Sequence, residues 1–485
     1  MSTITIAWIA LPFLVGFSIY LLPKFARMFA LAVTLTSFGY GLYRVFDLSP
    51  LNLRLLDHFG VTLVVDSLSG YFIVTNALVT AAVILYCWRS GKADFFYTQI
   101  TILHGSVNAA FICADFISLY VALEIVCIAA FLLIAYPRSD RSVWVALRYL
   151  FVSNTAMLFY LIGAVLVYQV NHSFAFAGLQ TAPTEAIALI VLGLLTKGGI
   201  FISGLWLPLS HSESETPVSA MLSGIVVKTG VFPLVRCALI VNDIEPIIQI
   251  FSLGTALLGV SYAIFEKDTK RMLASSTISQ LGFVLAAPSV SGIYALTHGL
   301  AKASLFLIAG NLPSRNFQEL RQNPIQRPLW ITLAIASLSI SGFPLLAGFG
   351  AKVLTLKQLD SWQAIAMNIA AVGTAIAFAK FIFLPLKSQQ LETSDSEEVR
   401  ESKSGLWWAI ILLLGGLVSV NGLYYQGYTV ENLVKSLIII GVGWLTYVLI
   451  FQKFTLQLPR SMEQFEHLIG GMSLMLILLF AMVLA

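Results

Sequence analysis

Long apolar runs, each broken by only a few polar residues, follow one another from residue 4 almost to the end of the chain. A helix needs about 20 residues to cross ~30 Å of hydrocarbon. Runs of that order lie at 4–22, 27–46, 67–88, 95–113, 115–136, 142–169, 186–209, 218–241, 246–265, 274–288, 291–311, 329–355, 362–386, 405–423, 432–451 and 467–485. The pattern predicts an all-α polytopic integral membrane protein with about 14–16 transmembrane helices. Two stretches depart from it. Residues 47–66 alternate (Val61, Leu63 and Val65 against Thr62, Val64 and Asp66), which predicts a short hairpin on the outer face. The run from Ser388 to Ser404 is a polar linker.

Composition excludes a soluble globular protein. The chain is 58% hydrophobic and 11% charged, with a mean hydropathy of +0.88, too little polar surface to cover so large an apolar interior. The first run lacks a basic leader and a small-residue cleavage site, so it reads as a span. Cys87, Cys113, Cys127 and Cys237 show no pair spacing and read as small buried hydrophobes. The net charge of +4 says little about partners, but its distribution is informative. With the N-terminus outside, seventeen Lys and Arg fall on cytoplasmic connections and only Arg44, Arg54, Arg236, Lys357 and Lys435 on outer ones. That is a positive-inside bias.

Five units follow: N-terminal helices and hairpin (1–94), a first repeat (95–241), a second (242–386), a cytoplasmic linker (387–404) and C-terminal helices (405–485). The repeat rests on lysine spacing. Lys228 and Lys380 are each followed five residues later by proline and then leucine, at an offset of 152, and Lys197 and Lys352 are offset by 155. Five helices per unit, an odd number, would invert the second unit relative to the first. Chance alignment of a few lysines in uniformly apolar sequence is the alternative.

Six ionisable side chains lie inside the apolar runs: Glu124, Lys197, Lys228, Lys302, Lys352 and Lys380. An isolated charge at the bilayer centre costs ~2.5–3.5 kcal/mol on insertion scales. Lys197 directly precedes Gly198 and Gly199, and the span of Lys352 is interrupted by SGFPLLAGFG. Both are kink signals, and broken spans are where backbone groups line a hydrated cavity. One glutamate cannot pair five lysines. The others must be hydrated, neutral for part of a cycle, or paired across a subunit boundary, which is the mark of a proton path; a structural network would balance its charges. Snorkelling is the alternative for Lys380 and Lys302. His298 and Lys302 share a helix face, and histidine relays protons near neutral pH. His211, Glu213 and Glu215, in HSESETPVS, read as a solvated loop in preference to a cytoplasmic proton access route, so His211 and Lys380 stand as secondary candidates. No nucleotide loop, metal-ligand spacing or nucleophile elbow is present in the sequence; GFGAK at 348–352 lacks the phosphate-loop spacing.

Five passages resemble the antiporter-like subunits shared by respiratory complex I and the Mrp-type cation/proton antiporters. They are YVALEIVCIAAFLL around Glu124, LLTKGGIFISGLWLPLSHSESETPVSAMLSGIVVKTGVFPLVR from Leu194, DTKRMLASSTISQLG from Asp268, LTHGLAKASLFLIAG from Leu296 and SGFPLLAGFGAKVL from Ser341. The resemblance covers about 95–386. It implies two inverted five-helix repeats, each with a broken helix, and proton-transfer roles for Glu124, Lys197, Lys228, His298, Lys302 and Lys352. Two departures stand out: HSESETPVS replaces the usual Ala/Pro-rich spacer, and about two helices are added beyond the usual fourteen. Lysine at 352 looks more like the Mrp D-type component or its cyanobacterial relatives than like the complex I subunit with glutamate there.

The expected function is proton translocation within a multisubunit Na+/H+ antiporter, with Glu124 tuning Lys197. A membrane-arm subunit of a type-I NAD(P)H:quinone oxidoreductase is the alternative, and a structural scaffold subunit is a third. Expected partners are other membrane subunits, protons, Na+ in the antiporter reading, and the lipid bilayer, with no nucleic acid, cofactor or metal. The expected location is a bacterial inner or thylakoid membrane, with the N-terminus non-cytoplasmic.

Overall fold

The structure is a computed structural model that describes residues 2–47, 49–56, 60–241, 244–387, 397–453, 456 and 458–484. Helices α1 (Ser2–Leu21) and α2 (Ala26–Phe46) lead into an antiparallel hairpin, β1 (Leu51–Leu56) and β2 (Gly60–Val65), in which Leu53 pairs with Leu63. The first half of the core contains α3 (Ser67–Tyr86), α4 (Asp94–Ala110), α5 (Phe116–Ile134), α6 (Asp140–Asn171), α7 (Thr184–Lys197), α8 (Leu207–Glu213), α9 (Thr216–Met221) and α10 (Lys228–Ile240). The second contains α11 (Ile244–Phe265), α12 (Thr269–Ala286), α13 (Ser291–Ala309), α14 (Phe317–Gln322), α15 (Arg327–Ser341), α16 (Ala347–Leu356) and α17 (Ser361–Ile382). Helices α18 (Glu397–Leu423), α19 (Val430–Thr446) and α20 (Phe465–Leu484) close the chain.

Among the described residues thirteen helical stretches are long and apolar enough to cross a membrane. The three remaining expected spans are α4, α12 and the interrupted pair α15–α16. Helices α4 and α12 are buried along most of their length, where protein replaces lipid, and the α15–α16 span falls short because it is broken into two pieces. Of the 387–404 linker, residues 388–396 lie outside the described residues, and α18 begins at Glu397, ahead of the expected start at 405.

Local chemistry sets the helix starts. Asp66 accepts from Ser69 N at 2.9 Å, Asp115 from Ser118 N at 2.7 Å and Asp268 from Arg271 N at 2.9 Å, while Ser139 and Ser142 form a capping box. The hairpin is tied to the α4–α5 turn by Val64 N donating to Ile112 O and Ala114 N to Thr62 O, each at 2.8 Å.

Burial is graded. Helices α12 and α13 are buried along almost their whole length, and α13 packs against α3, α9, α12, α15, α16 and α18. Large apolar side chains on α1, α6, α19 and α20, such as Phe17, Leu158, Leu445 and Ile477, remain exposed, as suits a surface solvated by acyl chains. His298 and Lys302 sit on α13, and Lys228 on α10, which is likewise buried along most of its length.

Two helices are broken in place. After α7 the chain passes through Gly199 (φ +69) and Phe201 (φ +56) before Pro208 restarts it in α8. Between α15 and α16 it passes through Gly342 (φ +84) and Leu345 (φ +71). Glycine enters this left-handed region freely, but phenylalanine and leucine are strained there. A third irregularity was not expected: Leu222–Val226 is a π-turn, with Val227 N donating to Leu222 O at 3.2 Å, directly before Lys228.

Candidate proton-transfer site

Each of the five intramembrane lysines donates to a backbone carbonyl. Lys197 Nζ, at the end of α7, reaches Ser153 Oγ on α6 at 2.6 Å and Leu123 O on α5 at 3.4 Å. Lys228 Nζ bonds Gly224 O, and Ser223 O at 3.4 Å, both within the π-turn. Lys302 Nζ bonds Leu273 O on α12 at 2.9 Å and also Ser276 Oγ. Lys352 Nζ bonds Ser341 O, the last residue of α15, at 3.2 Å. Lys380 Nζ bonds Ala263 O at 3.1 Å and Glu266 O at 2.8 Å, capping the end of α11. Lys228 and Lys302 are completely buried, and Lys197 and Lys352 nearly so.

Four ammonium groups also face an aromatic ring: Lys197 lies 5.9 Å from the Tyr149 centroid, Lys302 5.3 Å from Phe378, Lys352 5.4 Å from Phe283 and Lys380 5.5 Å from Phe317. Carbonyls and rings thus take the place of missing carboxylates. A hydrogen bond to a charged group is worth about 1.5–3 kcal/mol, which offsets part of the cost of burying the ion.

Glu124, half-buried on α5, forms no ion pair within 4 Å among the described residues. Its sequence neighbour Leu123 gives its carbonyl to Lys197, which places Glu124 within electrostatic reach of that lysine. From Lys197 to Lys228 the link is backbone: α7 and α10 touch at Gly198 and Gly230, where a Cβ on Gly230 would run into Lys197 C and Gly198. His298 then lies within electrostatic reach of both Lys228 and Lys302, and His211 within reach of Lys302. Lys380 stands apart, at a cavity lined by Glu266, Lys267, Phe317 and Arg321.

Two small voids adjoin this series. One, of about 10 Å³, is bounded by Tyr149, Ser153, Thr196, Lys197 and Trp206. The other, also about 10 Å³, is bounded by Gln280, Tyr294, Thr297, His298, Ser339, Ile340 and Gly348. Each has room for about one water. Tyr149 Oη and Thr196 Oγ1 at the first, and both ring nitrogens of His298 and Ser339 Oγ at the second, have no protein partner. Buried polar groups of this kind are normally satisfied by a protein partner or ordered water, so both voids have the lining of one-water sites.

His211 corrects one sequence expectation. The HSESETPVS segment is no solvated loop: it forms the end of α8 and the start of α9, and His211 is fully buried. Its ring lies between Trp206 and Phe306, at centroid distances of 6.0 and 6.1 Å. The serines make burial feasible by bonding locally, Ser210 Oγ to Trp206 O and Ser219 Oγ to His211 O. The acids turn outward, Glu215 to Lys92 at 2.7 Å and Glu213 to Arg141 at 3.2 Å. Sequence reasoning missed Ser153, Ser276, Tyr149, Gln280 and Tyr294. Their only signal is a polar atom inside an apolar run.

The family described as NADH:quinone oxidoreductase/Mrp antiporter, TM, matches residues 113–377. The chain is 30% identical over 362 residues to the N-type NADH-quinone oxidoreductase subunit of Desulforudis audaxviator, covering 67% of this chain and 72% of that one. It is 24% identical over 450 residues to the D-type Na(+)/H(+) antiporter component of Alkalihalophilus pseudofirmus, covering 83% of this chain and 91% of that one. A solved Mrp complex from Dietzia sp. contains a chain of the same fold, with a TM-score of 0.71 at 19% identity over 96% of this chain and 98% of that chain.

Proposed function

Since the chain belongs to the NADH:quinone oxidoreductase/Mrp antiporter, TM, family, we propose that it is the proton-translocating subunit of a multisubunit Na+/H+ antiporter. The observation that carries the reading is the series Lys197, Lys228, Lys302 and Lys352, whose ammonium groups are held by carbonyls and hydroxyls, with the unpartnered ring of His298 among them. A lysine locked to a carboxylate keeps its proton, because losing it strands a buried negative charge. A lysine held by carbonyls can lose its proton and leave only neutral groups behind.

Glu124 sits at one end and acts on Lys197 through space. A change in that distance alters how firmly Lys197 holds its proton, and like-charge repulsion between Lys228 and Lys302 passes the disturbance along through His298. The two one-water voids supply the short proton steps at Lys197 and at the α15–α16 break. His211 and Lys380 are secondary members. The layer of Lys92–Glu215, Arg141–Glu213 and Arg315–Asp268 pairs faces the cytoplasm in this reading, with the N-terminus outside a bacterial inner or thylakoid membrane and neighbouring membrane subunits as partners.

Proton transport in everted vesicles carrying the whole complex tests the path. Lys197→Ala and Glu124→Ala are expected to abolish sodium-driven pH changes while the complex still assembles; retained transport in either would sink the path. A second reading, a subunit of a redox-driven NAD(P)H:quinone oxidoreductase, is favoured by the similarity to the N-type subunit of Desulforudis. Co-purification of an iron–sulfur arm, with pH changes only on addition of an electron donor, would select it.

A further inference from the structure

The C-terminal helices, outside the region that the family match spans, hold the second helix break in place. When α15 ends, the carbonyls of Ser341, Gly342 and Leu345 lose their regular helical partners. Inside a bilayer each such carbonyl must find another donor. Ser341 O takes the Lys352 ammonium. Gly342 O takes the hydroxyl of Ser436, on α19, at 2.6 Å. Leu345 O takes the Asn421 amide, on α18, at 3.0 Å.

The two residues held from outside are those with left-handed backbone, Gly342 and Leu345. Leucine does not stay in that conformation without support. Asn421 is itself oriented by Tyr428, whose hydroxyl donates to Asn421 Oδ1 at 2.7 Å, and the Tyr428 ring packs on Phe349 of α16 at 4.9 Å between centroids. Gly342 also faces Lys352, since a Cβ there would stand 2.9 Å from Lys352 Cδ. Ser436 and the lysine stem thus both bear on Gly342.

We infer that Asn421 and Ser436 are positioning residues for Lys352: they fix the bend that presents Ser341 O to its ammonium. The inference rests on the proton-path reading for its functional consequence, though not for the brace itself.

The experiment compares Ser436→Ala, Asn421→Ala and Ser436→Thr in the intact complex, with Ser419→Ala as control, because Ser419 bonds only Gly415 O of its own helix. Amide hydrogen exchange over 345–350 is read beside proton transport. The alanine variants are expected to speed exchange there by about tenfold and to slow transport severalfold at unchanged membrane yield, with Ser436→Thr and Ser419→Ala close to wild type. Unchanged exchange in both alanine variants overturns the brace, and faster exchange with undiminished transport overturns the positioning role. Because exchange is read without transport, a chain that transports normally as Lys197→Ala would count against the proton path and leave the brace standing.

Discussion

Gly299 lies against Lys228: a Cβ built on Gly299 would stand 3.5 Å from Lys228 Nζ and 3.0 Å from Gly224 O, and would strike Thr75 Cγ2. The residue after His298 is thus kept small so that α13 can press against the π-turn holding the ammonium. Gly299→Ala is expected to cost about 1–3 kcal/mol through overpacking. It should also cut proton transport at least as deeply as it cuts stability, because the methyl group crowds the Lys228 ammonium and the Gly224 carbonyl that holds it. Thermal unfolding of the purified complex and transport in vesicles check the two effects; normal transport would show that this contact is not on the path.

Ser153 and Ser276 are the hydroxyls nearest to Lys197 and Lys302. Replacing Ser153 with alanine leaves Lys197 only its longer bond to Leu123 O, a loss of about 1.5–3 kcal/mol for a bond to a charged group. Expected transport is about tenfold lower in Ser153→Ala, with Ser153→Thr retaining most of it. Ser276→Ala should behave in the same way at Lys302, where Leu273 O alone remains. Initial rates of proton uptake at saturating sodium measure both.

These serines also show where the sequence stops being informative. A lysine in an apolar run is legible because its burial cost is large, and the Gly198–Gly199 pair and SGFPLLAGFG mark their breaks through backbone chemistry. A serine in such a run is cheap and common, so nothing separates Ser153 from those that bond only their own helix, such as Ser419. The carbonyl acceptors have no side-chain signature at all, and the π-turn before Lys228 carries no proline to announce it. His211 misled for the opposite reason: its segment has a loop-like composition, but each serine satisfies itself locally and the two glutamates escape sideways to Arg141 and Lys92. Local polarity does not reveal which polar groups tertiary structure can pair.

Asp66, the N-cap of α3, accepts from Arg236 at 2.5 and 2.7 Å. Burial pushes its carboxyl up, but the Arg236 guanidinium and the Ser69 amide outweigh this and hold it below the usual carboxylate range. With the folded value depressed, the stabilisation is complete above the unfolded value of about 3.9. It is lost as pH falls through the folded one. Asp66→Asn keeps the cap but removes the charge, so it should lose about 1–2 kcal/mol at pH 7. Its stability should then fall less steeply than wild type as pH drops from about 4 to about 2. Thermal unfolding across that range decides it; parallel curves would remove Asp66 from the acid response.

Glu463, just before α20, accepts two bonds from Arg271, the second at 2.6 Å, while its own carbonyl accepts from Arg148 of α6. Arg271 and Glu463 are nearly fully buried, with side-chain exposures of 7% and 9%. This latch anchors α20 where it packs on α7 and the broken segment after it, with Gly471 against Ile202. Removing one partner of a buried pair costs about 3–5 kcal/mol, whereas replacing both with apolar side chains of similar volume is often close to neutral. Because Arg271 keeps its second partner, Glu266 at 3.2 Å, Glu463→Ala is expected to destabilise by less than that, about 1–3 kcal/mol. The double variant Arg271→Met/Glu463→Met should recover much of that loss, since Glu266 keeps Arg460 at 2.9 Å. If the latch serves only to seat α20, transport should follow stability in both variants. Transport lost in the double variant at restored stability would instead give the Arg271–Glu463 charges a part in proton movement near the first break.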